Sequence, residues 1–303
     1  MQRDIDSHPA RGDFSGLWVP LVTPFRDGAV DHDALAALTQ RLAGAGIAGF
    51  VVCGSTGEAA ALDDDEQLAV LDTVAAAAPA LPRIMGISGC HLGQTLAWAR
   101  RLATRPLAGL LVPAPSYIRP SQAGLTGWFT AIADASAVPL VLYDIPYRTG
   151  SVLTLDTLRG LAAHPRIRAI KDCGGDPAKT RALIADGRLQ VLAGEDAQMF
   201  GLLAEGGAGV IAASAHLHTD VFVRLMRSIA EGRLAEARED WQALSPLIEL
   251  LFAEPNPAPL KAVLADEGLM DDELRLPMTR SSPALRARLQ AAQHMLQSSL
   301  SRR

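Results

Sequence analysis

Cysteine is scarce in this chain. The 303 residues hold three, Cys53, Cys90 and Cys173, an odd number without CxxC spacing. That excludes a disulfide framework and fits a reducing compartment, so a cytoplasmic location is expected. Long apolar runs are also lacking: charge or proline interrupts every Ala-rich stretch before it is long enough to span a bilayer. No run of basic residues occurs, and the net charge is −5. Neither nucleic acid nor a membrane surface is therefore an expected partner. The polar start, Met1 to Asp13, has no apolar core of a signal peptide and reads as a disordered or loosely ordered tail.

What is present is a repeat of strand and helix. Short apolar runs at 16–23, 49–53, 83–86, 107–112, 139–143, 167–171, 189–193 and 208–212 read as strands. Helix-periodic stretches at 33–45, 63–78, 92–103, 121–135, 154–163, 177–185 and 197–205 lie between them. Strands apolar on both faces belong to a parallel sheet covered by helices. Eight such units over about 200 residues predict a (β/α)8 TIM barrel over 14–218. A helical segment follows over 219–303, interrupted at Glu254-Pro255-Asn256-Pro257, with a last helix at 283–300.

In such a barrel the chemistry belongs at the carboxyl ends of the strands. The sixth strand ends in Lys171, followed by Asp172, Cys173, Gly174 and Gly175. A lysine there is costly to desolvate while charged, and a neutral amine forms Schiff bases with carbonyl substrates. The plainer alternative is a strand-end lysine that reaches water or pairs with Asp172. After the second strand, Gly54-Ser55-Thr56-Gly57-Glu58 offers two hydroxyls and backbone N–H groups for an anion such as a carboxylate, or is an ordinary Ser/Thr turn. Tyr143 ends the fifth strand, as a proton relay or a packing ring. Arg148, beyond Asp144, Ile145, Pro146 and Tyr147, is a candidate carboxylate clamp or a solvated loop charge. Tyr117 lies in the loop after the fourth strand. Glu195 and Asp196, after Gly194, most simply cap the next helix. A Schiff-base lysine, an anion nest and a phenol together suit a keto acid.

Weaker signals carry little. Residues 44–49 match GxGxxG by letter but end a helix and precede a strand, the wrong order for a dinucleotide turn. His216 and His218 lack a third ligand at metal spacing. The cysteines have no obvious histidine partner in sequence and read as packing or incidental exposure.

GSTGE at 54–58, YDIP-x-RTG at 143–150, AIKD at 169–172 and GEDA at 194–197 resemble, in order, the motifs of the dihydrodipicolinate synthase and N-acetylneuraminate lyase superfamily. The resemblance spans about 14–289. It implies a TIM barrel in which pyruvate forms an imine with Lys171, with Tyr143 as the proton-transfer group. Ser55 and Thr56 sit where the family binds the pyruvate carboxylate, Ser55 doubling as a relay hydroxyl. Gly194 and Ile211 fall on substrate-binding positions. The synthase branch is the nearer: Arg148 matches the arginine that receives the carboxylate of aspartate semialdehyde, Tyr117 the tyrosine that reaches a neighbouring subunit's relay, and 252–261 with 274–278 the C-terminal helices. The resemblance therefore implies condensation of pyruvate with L-aspartate 4-semialdehyde, on the route to diaminopimelate and lysine. It implies no metal or organic cofactor, and a homotetramer. The alternatives are a related lyase acting on a sugar acid or another aldehyde, and a barrel kept as a sensor or scaffold. Departures are Ser55 for a usual Thr, Asp144 for a usual Asn and Tyr147 for a small residue. The positions that hold feedback lysine fall on Ala59, Asp64, Gln67, Cys90, Gln94 and Ser116, which lack the expected side chains, so insensitivity to lysine is expected.

Overall fold

Short β-branched runs bounded by glycine and proline form strands because their side chains pack well on a pleated surface covered on both sides. In a computed structural model, which describes residues 12–301, β1 (Gly16–Pro20) leads into a small antiparallel hairpin of β2 (Phe25–Arg26) and β3 (Ala29–Val30), then α1 (His32–Ala43). Next come β4 (Gly49–Val52), α2 (Asp64–Ala77), β5 (Arg83–Gly86), α3 (Leu92–Leu102), β6 (Gly109–Pro113) and α4 (Gln122–Ala135). They are followed by β7 (Leu140–Asp144), α5 (Pro146–Thr149), α6 (Leu155–Leu161), β8 (Ile167–Asp172), α7 (Pro177–Asp186) and β9 (Gln190–Ala193). The chain continues through α8 (Met199–Ala204), β10 (Gly209–Ile211), α9 (Thr219–Ala230), α10 (Leu234–Leu251), α11 (Ala258–Asp266) and α12 (Pro283–Leu300). The eight expected strands close into one parallel barrel in the order β1-β4-β5-β6-β7-β8-β9-β10. Of the expected tail, residues 1–11 lie outside the described residues. Asp13 is tied in place, accepting from Gln190 Nε2 at 2.5 Å.

By contact the chain divides into two compact units. One runs through Trp18 and includes Ala48–Val51 and Leu81–Ile211. In it, one apolar cluster includes a side chain from each barrel strand: Trp18, Val51, Ile84, Leu111, Val141, Ala169, Leu192 and Ile211. This is the inward half of the period-two alternation of barrel strands. Val141 pairs with Ala169, and one step on, Tyr143 pairs with Lys171. Alternation thus turns Tyr143 and Lys171 to the same inward face, toward the strands' carboxyl ends.

The other unit holds Val19–Ile47, Val52–Ala80 and the chain from Ala212 onward. Here α1 packs on α2, α9 on α10, and α10 and α11 on α12. Asp63 and Glu66 close a capping box at the start of α2. The helical segment expected from residue 219 is broken first at Gly232, whose φ of +75° is the left-handed region that ends α9; the interruption expected at Glu254-Pro255-Asn256-Pro257 falls in the connection between α10 and α11. Arg224 grips Asp240 with two bonds of 2.8 Å and ties α10 back to α9.

His216 is fully buried, its Nδ1 2.8 Å from the Ala213 carbonyl, its Nε2 accepting from Val22 N at 3.3 Å. Burial pushes its pKa down to about 4. The unfolded imidazole therefore takes its proton near 6.5 while the native one resists until about 4. Stability present at neutral pH is expected to fall as pH falls through that window, by about 3 kcal/mol in total. Melting temperatures measured from pH about 7 to about 4.5 should show a shallower decline for His216→Gln than for the parent chain.

Candidate active site

The chain has only three lysines, and all are buried. Two are committed to carboxylates. Lys179 Nζ lies 2.5 Å from Asp144 Oδ2, and Lys261 Nζ 2.5 Å from Glu58 Oε1. Lys171, 6% exposed, has no carboxylate at ion-pair distance among the described residues. It faces a phenol instead: Nζ is 3.4 Å from the Tyr143 hydroxyl and 4.5 Å from the ring centroid. A buried amine not tied into an ion pair, beside a group that exchanges protons, is the arrangement a Schiff-base nucleophile needs.

The residues after Tyr143 and Lys171 face the other way and anchor the strand ends. Asp144 takes the Lys179 ammonium from α7; burial pushes its carboxyl pKa up, and Lys179 opposes that. Asp172 accepts from Thr180 of α7 at 2.6 Å and from Gly174 N at 2.8 Å. The alternative in which Lys171 pairs with Asp172 is not the arrangement found. The Asp144 departure is paired with a lysine on α7, a partner that the sequence reading did not foresee. Gly194 lies against Lys171: a Cβ there would come within 2.8 Å of Lys171 Cγ and 2.3 Å of Cys173 Sγ. Ile211 belongs to the apolar layer that includes Tyr143 and Cys173.

Arg148 is exposed on α5, its guanidinium 5.8 Å from the centroid of the Tyr147 ring. Tyr117 is 96% exposed with φ of +69°, standing clear of its own chain. Glu195 does not cap the next helix, contrary to the sequence expectation. Its carboxylate instead accepts from the Tyr147 hydroxyl at 2.9 Å, so tertiary geometry gave it a nearer donor.

In the other unit, the GSTGE turn is braced by the C-terminal helices. Thr56 is buried and accepts from Asn256 Nδ2 at 3.0 Å, and Thr23 Oγ1 donates to the Gly57 carbonyl at 2.7 Å. Ser55 is exposed. Cys53 and Glu58 both hold left-handed backbone at φ 53°, and a Cβ on Gly57 would come 2.9 Å from the Leu21 carbonyl. Two N–H groups that the sequence reading offered to an anion are spent inside the turn: Gly57 N donates to Gly54 O at 3.0 Å and Glu58 N to Ser55 O at 3.2 Å. Any anion role therefore rests on Ser55 and Thr56. Lys261 sits between the Glu58 carboxylate, the Glu273 carbonyl at 2.9 Å and the Phe25 ring at 4.3 Å. Burial pushes the Glu58 pKa up and the Lys261 pKa down, each opposed by the other's charge. Sequence reading missed Asn256, Lys261 and Lys179 as supports; the available signal was a lone lysine within the apolar run APLKAVL.

Residues 44–49 join the end of α1 to β4, the order expected from the sequence. Among the described residues no group of three or more His, Cys, Asp or Glu is arranged to hold a metal, and no helix is long and apolar enough to cross a membrane. Burial pushes the Cys53 and Cys173 thiols up, away from the reactive thiolate; Cys90 is exposed.

A model of the dihydrodipicolinate synthetase family matches residues 13–295. The chain belongs to that family. It is accordingly an enzyme, a lyase of the synthase type. The 4-hydroxy-tetrahydrodipicolinate synthase of Sorangium cellulosum is 38% identical over 289 residues, covering 93% of this chain and 96% of that one. A dihydrodipicolinate synthase from Acinetobacter baumannii, solved with pyruvate, superposes with a TM-score of 0.90 at 31% identity, covering 93% of this chain and 99% of its own. Another, from Cyanidioschyzon merolae with lysine bound, gives 0.91 at 29% identity and covers 94% and 98%.

Proposed function

We propose that this enzyme condenses pyruvate with L-aspartate 4-semialdehyde to 4-hydroxy-tetrahydrodipicolinate through an imine on Lys171. The observation that carries the reading is the buried amine of Lys171, without a carboxylate at ion-pair distance among the described residues and 3.4 Å from the Tyr143 hydroxyl. The amine adds to the keto carbon of pyruvate and water leaves, giving an imine. Loss of a methyl proton gives the enamine, whose carbon attacks the aldehyde and whose nitrogen then resumes the imine. The amino group of the bound semialdehyde displaces Lys171 and closes the ring. Tyr143 moves the protons of these steps, its 3.4 Å contact shortening as the adduct forms. Ser55 and Thr56 take the pyruvate carboxylate, Gly194 and Ile211 bound the keto acid, and Arg148 takes the carboxylate of the semialdehyde. Tyr117, 96% exposed on its own chain, completes the relay of a neighbouring copy, which requires at least a dimer; the family resemblance extends this to a homotetramer built as a dimer of dimers. The imine is itself the electron sink, and the chemistry calls for no metal or organic cofactor.

Borohydride reduction in the presence of pyruvate tests the imine. One adduct per chain is expected, on the peptide that carries Lys171; the other two lysines are ion-paired and buried. An intact enzyme that gains no mass at Lys171 refutes the mechanism.

Lysine is expected not to inhibit. At the corresponding positions Cys90 is exposed, and the Gln67 amide is turned to the Ala59 and Leu62 carbonyls at 3.4 and 3.3 Å. A coupled assay that shows inhibition at about millimolar lysine overturns this.

A further inference from the structure

Tyr147 replaces a small residue of the family pattern, and the structure gives it a definite partner. It stands on the single-turn α5, after β7; Glu195 stands just after β9. Between them lies β8, which carries Lys171. Neighbouring strands are about 4.8 Å apart, so the 2.9 Å bond from the Tyr147 hydroxyl to Glu195 Oε1 bridges a gap of about 10 Å between strand ends. It does so across the end of the lysine's strand. Yet the ring is 66% exposed. It is therefore not core packing: it is a tethered plate at the mouth, with Arg148 against its face.

Hydrogen bonds hold the chain at both anchors. Thr149 Oγ1 donates to the Ile145 and Ser151 carbonyls and fixes the α5 turn, and Gly194 N donates to Asp172 O at 2.9 Å beside Glu195. An aldehyde approaching the enamine must pass beneath this plate with its carboxylate on Arg148. A short carboxylated aldehyde can do so; a polyhydroxylated six-carbon chain meets the ring. We propose that the Tyr147–Glu195 bridge is a specificity element that limits the length of the second substrate and confines the enzyme to short carboxylated aldehydes. Tyr147 thus acts by position and not in the proton transfers. The proposal rests on the reading of the enzyme as a pyruvate aldolase.

The test compares kcat/KM for aspartate semialdehyde with that for N-acetylmannosamine, each with pyruvate, in the parent enzyme and in Tyr147→Ala, Tyr147→Phe and Glu195→Gln. Tyr147→Ala should reduce the preference for the short aldehyde by at least about tenfold, the scale on which pocket size discriminates. Tyr147→Phe, which keeps the ring but frees it, should fall between that variant and the parent. Glu195→Gln still offers an oxygen to the phenol and should stay close to the parent. A parental preference in Tyr147→Ala that still traps pyruvate overturns the proposal. If the alanine variant does not fold, an unchanged preference in Tyr147→Phe overturns it. Failure of the parent enzyme to trap pyruvate refutes the aldolase reading instead, so the two failures are distinct.

Discussion

Lys171→Ala is expected to lower kcat/KM by at least about 10⁴-fold and to abolish borohydride trapping, while the fold persists. Losing a covalent nucleophile removes the route itself, and such losses in other enzymes reach about 10⁶-fold. Lys171→Arg should be as inactive, because a guanidinium is always protonated and cannot form the imine. Tyr143→Phe separates the two roles. It removes the proton carrier and leaves the amine, so turnover should fall by about 10² to 10⁴ while pyruvate is still trapped. The expected stability change for Lys171→Ala is small, since the amine's contact is a long hydrogen bond to the Tyr143 hydroxyl and it has no ion pair among the described residues. Near-parental turnover in a folded Lys171→Ala would remove this lysine from the mechanism.

Lys261→Met should be the most destabilising single change. The Lys261 side chain is 0% exposed, and its ammonium balances the Glu58 carboxylate, itself 2% exposed, at 2.5 Å. Removing one partner of a buried pair costs about 3 to 5 kcal/mol, because the other is left buried and unpaired. The pH dependence has a definite sign. Burial already raises the Glu58 pKa, and without Lys261 it rises further. A carboxyl whose native pKa lies above its unfolded value favours the native state below that unfolded value and loses the contribution as pH rises through the native one. The variant should therefore be relatively less destabilised near pH 5 than near pH 8. The double variant Lys261→Met with Glu58→Leu should recover much of the loss, since replacing a whole buried pair by apolar groups is often neutral. Activity should fall with the single variant even where it remains folded, because Glu58 and Thr56 are held by the same C-terminal segment through Lys261 and Asn256. A denaturant midpoint unchanged in Lys261→Met would show that the pair carries no stability.

The sequence by itself determined the eight apolar strands and their closure class, the placing of Lys171 and Tyr143 at strand ends, and the order of the family motifs. These are local or periodic features: a strand buried on both faces shows as an unbroken apolar run, and a lone charge at its end stands out. Two-residue strands such as β2 and β3 and the single-turn α5 carry no period to read, so they were invisible. The run from residue 219 was over-read as continuous although Gly232 marked its break.

Only the tertiary structure decided which charges meet. Asp144 with Lys179, Glu58 with Lys261, Thr56 with Asn256 and Tyr147 with Glu195 are separated along the chain by 35 to about 200 residues. Whether a buried lysine is a fastener or a nucleophile depends on whether a carboxylate arrives beside it. That arrival is set by the packing of distant segments, which no local pattern records.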